Sequence, residues 1–104
     1  MMQHEYYCYD SFGNRKRVWE VWLSDQNKYL VQEGAIVAPT EDVNDGDWKT
    51  RIIHPIPDIP KDTEVMVIEV WTNFYGKWVR VEYNGRKYDI EPEKLKYIRL
   101  GDEH

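Results

Sequence analysis

The chain has 104 residues and a mass of 12.6 kDa, enough for one ordinary domain or two very small ones. Fourteen Lys and Arg stand against 19 Asp and Glu, giving a formal net charge of −5 and a pI near 5.1, the wrong sign for a protein that tracks phosphates. No apolar run approaches the roughly 20 residues of a bilayer span, and 5 Trp, 8 Tyr and 2 Phe beside a mean hydropathy of −0.78 argue against a disordered chain.

Apolar residues recur with period two almost everywhere, the spacing of half-buried strands. Residues 5–12 and 16–23, joined at Gly13-Asn14-Arg15, predict a first hairpin. In its second arm Trp19, Val21 and Leu23 point one way, and Val18, Glu20 and Trp22 the other. Lys28 to Val31 predicts a third strand, and Ala35 to Ala38 a fourth that Pro39 stops. Residues 40–47 read as a loop, Trp48 to Ile53 as another strand, and Pro55, Pro57 and Pro60 as a rigid non-helical crossing. No helix longer than a turn is expected. A weak echo relates Glu20-Val21-Trp22 and Lys28-Tyr29-Leu30 to Glu69-Val70-Trp71 and Lys77-Trp78-Val79, each pair of triplets five residues apart.

The stretch from Val65 to Leu100 is the best specified. Val65 to Trp71 predicts a strand and Thr72 to Gly76 a turn, followed by a strand from Lys77 to Tyr83. Asn84-Gly85 then separates it from Arg86 to Ile90, and Asn-Gly between alternating strands marks a type I′ hairpin. A two-residue loop sets the register: Tyr83 faces Arg86, Glu82 faces Lys87, Val81 faces Tyr88, Arg80 faces Asp89, Val79 faces Ile90 and Trp78 faces Glu91. Val79, Val81, Tyr88 and Ile90 therefore share the core side, and Trp78 stands outside. Pro92 to Leu95 suits a single 3₁₀ turn, Lys96 to Leu100 a last strand, and residues 101–104 a polar tail.

Little in the sequence carries catalytic chemistry. His4, His54 and His104 are scattered with no nucleophile at triad spacing. The six glycines are spaced as turn residues rather than as a phosphate cradle. Glu41, Asp42, Asp45 and Asp47 surround Gly46, but from Asp42 that glycine comes fifth rather than at the sixth position of a calcium loop, so the cluster reads as an acidic surface and not a metal site. Cys8 is the only cysteine, which excludes an intrachain disulfide and a Cys-rich zinc site; it reads as a half-buried packing residue. The first residues lack the basic and apolar regions of a secretory signal, so a cytoplasmic location is the expectation. No cofactor is implied.

The segment from Lys61 to Ile68, a turn, the run Lys77-Trp78-Val79-Arg80-Val81-Glu82-Tyr83-Asn84-Gly85-Arg86, and Ile90 with Leu95 together resemble an SH3-like barrel, and most the bacterial SH3b pattern. The likeness covers residues 48–100 at most. It implies that Trp78 lines a ligand groove and that the chain comes from a bacterium or its phage. Glu91 and Lys94 stand where proline-binding SH3 domains carry Pro and Tyr, which weighs against proline-motif recognition. Lys87 or Tyr88 replaces the glycine that usually follows the distal hairpin.

The expected fold is all-β: an SH3-like small barrel at 47–100, with residues 1–46 as a hairpin extension or a second small barrel packed against it. One face of a small barrel cannot bury Trp22, Trp71, Tyr75 and Trp78 together, so some of these rings are covered by the N-terminal half or form a contact surface. The expected function is non-enzymatic: a protein-interaction module with Trp71, Phe74, Tyr75 and Trp78 as its partner-binding or self-association surface. Seven acids against Lys28 alone in residues 20–47 favour a basic partner. The alternative is single-stranded nucleic-acid binding by the same rings with Arg15, Lys16 and Arg17.

Overall fold

The computed structural model describes residues 5–9, 12–44 and 57–101. Their fold is all-β, with two antiparallel sheets, neither of them closed. β1 (Glu5–Tyr9), β2 (Arg15–Trp22) and β3 (Lys28–Gln32) form the first sheet in that order. The second contains β4 (Ile36–Pro39), β5 (Val65–Asn73), β6 (Gly76–Tyr83), β7 (Arg86–Ile90) and β8 (Leu95–Arg99), in the order β7-β6-β5-β4-β8. A 3₁₀ turn at Pro92–Lys94 joins β7 to β8, with Pro92 where a missing N–H costs nothing. The strand expected over residues 48–53 and the boundary drawn between residues 46 and 47 lie outside the described residues. β4 precedes that boundary yet sits between β5 and β8.

Local chemistry sets the turns. Asp25 Oδ1 accepts the backbone N–H of Asn27 at 3.0 Å and Gln26 adopts φ 64°, closing β2 onto β3. Asn84 and Gly85, at φ 52° and 75°, make the expected two-residue turn, and the pairings read from it between residues 79–83 and 86–90 are present, but β7 ends at Ile90, so the ladder stops before the expected Trp78–Glu91 pair. Open space surrounds the position of a Cβ on Gly85, so Gly85→Ala is expected to cost about 1–2 kcal/mol through its positive φ alone. A urea titration measures that loss, and an unchanged midpoint would show that the turn does not hold the register.

The turn expected over Thr72–Gly76 is tighter than read. β5 runs on to Asn73, leaving Phe74 and Tyr75 as the loop, with Gly76 opening β6 at φ 134°. Asn73 explains the tightness: its Oδ1 accepts both the Tyr75 backbone N–H and the Trp78 indole N–H, each at 2.9 Å.

One core joins the sheets. Trp19, Val21, Leu23 and Val31 of the first sheet's segment pack with Val37, Val65, Val67, Val70, Val79, Val81, Ile90 and Leu95 of the second. Val18, expected on the outer side with Glu20 and Trp22, is nevertheless buried. Ile59, from the proline-marked crossing, is fully buried and exchanges both backbone hydrogen bonds with Val43. Tyr29 stacks on Tyr97 across the sheets at 5.4 Å, and Ser24 N–H donates to the Leu95 carbonyl at 2.9 Å. Arg17 adds a polar tie: its guanidinium reaches Glu33, Glu69 and the Ile68 carbonyl at 3.4–3.5 Å.

That Ile68 carbonyl belongs to a bulge between Val67 and Glu69. Unbroken alternation from Val65 would send Glu69 and Trp71 inward with Val67. The extra residue reverses the phase, so Val70 enters the core while Glu69 and Trp71 turn out to join Arg80 and Trp78. Burying a valine instead of an unpaired carboxylate decides which phase wins. The sequence echo does not extend to register, since Trp22 faces Lys28 whereas Trp71 faces Trp78.

Candidate functional site

Trp78 is the centre of the outer surface. Cross-strand pairing sets its ring beside Trp71, with centroids 6.2 Å apart and planes 25° from parallel, and its indole N–H is held by Asn73. Two adjoining depressions share Trp78 as a wall. The first, about 260 Å³, runs to the loop after β4 and is edged by Glu41, Asp42, Asp89 and Glu91, with Pro39 and Ile90 at its floor. The second, about 390 Å³, runs to the end of β2, where Trp22 and Tyr75 face it across Gly76 and Lys77, and Glu91, Pro92 and Glu93 close the far side.

The rings picked out by the sequence are divided by this geometry. Trp78 lines both depressions and Tyr75, 87% exposed, lines the second. Trp71 lies behind Trp78 and lines neither; its indole N–H donates to Asp89 Oδ1 at 2.9 Å, and the Arg80 guanidinium lies 5.5 Å from its ring centre. Phe74, 99% exposed, projects from the turn and touches Tyr75 edge-on at 6.1 Å. Trp22 is the ring that the sequence assignment omits. Alternation with Val21 and Leu23 signals that it points outward, and it is 61% exposed. Its position beside Trp78 depends on the docking of β2, where Lys77 Nζ donates to the Glu20 carbonyl at 2.9 Å, a contact between residues 57 apart in sequence.

The acidic residues are similarly sorted. Glu41 pairs with Lys94 at 3.2 Å. That bond, with the nearby charges of Glu41, Glu91 and Glu93, raises the Lys94 ammonium above its usual pKa. Asp42 Oδ1 accepts the Lys61 N–H at 2.8 Å and so pins the two ends of the long crossing. Asp89 is shared by Arg80, at 3.1 Å, and Trp71. Asp45, Asp47, His4, His54 and His104 lie outside the described residues.

At the other end of β2 the basic run Arg15-Lys16-Arg17 is split. Arg17 is engaged with Glu33 and Glu69, while Arg15 lies over the Tyr7 ring at 4.1 Å and pairs across the strands with the exposed Tyr9. Cys8 is half-buried. Among the described residues no helix is long and apolar enough to cross a membrane. No protein-family model, curated protein or solved structure matches the chain.

Proposed function

We propose that the chain is a non-enzymatic interaction module that binds a basic segment of a protein partner across Trp78. A single observation carries the reading: a half-exposed tryptophan, fixed by Trp71 and Asn73, forms the shared wall of two depressions edged by Glu41, Asp42, Asp89, Glu91 and Glu93. Aromatic residues anchored at the centre of a polar surface are the usual carriers of interface energy, and an acidic rim steers a basic partner.

An SH3-like small barrel with an N-terminal extension is the architecture this reading adopts. Support comes from the order β8-β4-β5-β6-β7, with a 3₁₀ turn just before β8 and an Asn-Gly hairpin between β6 and β7. The sheet is open, so the likeness rests on order rather than closure, and its first strand is β4 instead of the segment at residue 48. The SH3b likeness also carries the proposal of a bacterial or phage protein.

Affinity capture from lysate, read by mass spectrometry, is expected to recover a protein with an exposed Lys- and Arg-rich segment. Glu41→Lys, or salt near 0.5 M, should weaken that capture about tenfold. A partner whose binding ignores both changes, or no partner at all, sinks the reading. A second reading, binding of single-stranded nucleic acid, is favoured by Arg15 over Tyr7, with the exposed Tyr9 paired to Arg15 across the strands. It requires oligonucleotide affinity to fall steeply with salt, and absence of binding at low salt removes it.

A further inference from the structure

We infer that the depression between Trp22 and Trp78 receives the guanidinium group of an arginine in the partner's basic segment, an assignment that rests on reading Trp78 as a protein-contact surface. Three rings, Trp22 at the end of β2, Tyr75 in the β5–β6 turn and Trp78 in β6, line one hollow. At 61% and 87% exposure Trp22 and Tyr75 are large rings with little covering them. Their faces carry the negative part of the ring quadrupole, which attracts a cation.

The charges at the rim have the same preference. Glu91 and Glu93 line the hollow, and among the described residues neither forms an ion pair. Lys77 also lines the hollow, and its ammonium is already directed to the Glu20 carbonyl. Lys94, which feels both carboxylates, is bound to Glu41 on the other side of Trp78. The hollow therefore combines aromatic faces with two carboxylates that form no ion pair among the described residues.

The kind of cation follows from shape. A volume of about 390 Å³ has the room of roughly a dozen waters, too open to enclose a compact quaternary ammonium on all sides. A lysine ammonium is strongly hydrated and gains little from a ring that stays wet. A guanidinium is planar and weakly hydrated. It can lie flat on one ring while its edge donates in parallel to a carboxylate, and that arrangement needs no enclosure. Trp22 supplies the flat surface, and Glu91 or Glu93 the acceptor.

The test uses the full chain and capped Gly-Ser peptides bearing one Arg, Lys, trimethyllysine or citrulline, with the indole N–H signals of Trp22 and Trp78 followed by NMR. Arginine is expected to bind about threefold to fivefold more tightly than lysine or trimethyllysine, and more tightly still than citrulline, its neutral counterpart. Trp22→Ala, at an exposed position, should keep the dispersed spectrum of the folded chain and lose that advantage. Glu91→Gln with Glu93→Gln should narrow the gap between arginine and citrulline to the part that the rings supply, and Trp22→Ala added to that pair should close it. Equal binding of arginine and citrulline by the native chain, tighter binding of trimethyllysine, or no shift of either indole signal overturns the assignment. If it falls while partner capture still depends on Glu41 and salt, the interaction reading stands without this subsite; if capture fails as well, both fall.

Discussion

Trp19→Ala is expected to remove about 3–5 kcal/mol of stability, the usual cost of truncating a fully buried tryptophan. Trp19 is 1% exposed and lies in the cluster that joins β2 and β3 to the five-stranded sheet, so its loss opens a cavity between sheets rather than at an edge. Against a total of roughly 5–15 kcal/mol for a domain of this size, the variant should stand close to unfolding. At about 4–8 °C per kcal/mol, its Tm falls by at least about 12 °C in a thermal scan followed by circular dichroism. Trp19→Phe separates packing from polarity. Among the described residues the indole Nε1 of Trp19 is buried with no hydrogen-bond partner, a donor whose desolvation costs about 1–3 kcal/mol. Phenylalanine removes that donor and retains a ring beneath the Arg17 guanidinium, which lies 5.1 Å from the indole centre. Its loss should therefore be less than half that of alanine. If both variants melt within a few degrees of the parent, the sheets do not depend on this core and the account of the fold is wrong.

What the sequence could reveal divides along the distance over which each feature is decided. The β6–β7 register is local: a two-residue turn with two positive φ angles admits one alignment, and the pairs from Val79–Ile90 to Tyr83–Arg86 follow from it. Trp19, Val21 and Leu23 share a face for the same reason, since side-chain alternation needs no partner to be read. Trp71 is harder. Its outward position depends on the bulge at Ile68, and the one local sign of that bulge is a glutamate, Glu69, falling in phase with Val65 and Val67. A charge in the core phase of a strand is a reason to expect a slipped residue.

Ile59 and β4 were beyond that reach. Ile59 sits among prolines that signal a surface crossing, and only its bridge to Val43 draws it into the core. β4 reads correctly as a strand, but its place between β5 and β8 rests on pairings with Met66 and with residues 95–99 that no local pattern encodes. The binding surface divides in the same way. Outward Trp78 is local, whereas its neighbours Trp22, Glu41 and Asp42 reach it from elsewhere in the chain.

Trp78→Ala is expected to lower affinity for the captured basic partner by about thirtyfold or more, the range of a central aromatic anchor worth at least 2 kcal/mol. The fold should survive, because the residue sits outside the core that Val79 and Val81 help to build. It is not an idle ornament of the surface, however. Its ring stacks on Trp71 and its N–H occupies Asn73, which also holds the Tyr75 turn. Losing the stack costs about 0.5–1.5 kcal/mol, so Tm should fall by roughly 2–12 °C, less than for Trp19→Ala. Trp78→Phe provides the internal control. It keeps a ring against Trp71 and loses only the indole N–H, so stability should return most of the way while partner affinity recovers in part. If Trp78→Ala unfolds the chain and Trp78→Phe restores folding and capture together, the ring is structural and the contact surface lies elsewhere. If the alanine variant folds and capture is unchanged, Trp78 is not the anchor. Binding lost from a chain that still melts cooperatively is the outcome the geometry around Trp78 requires.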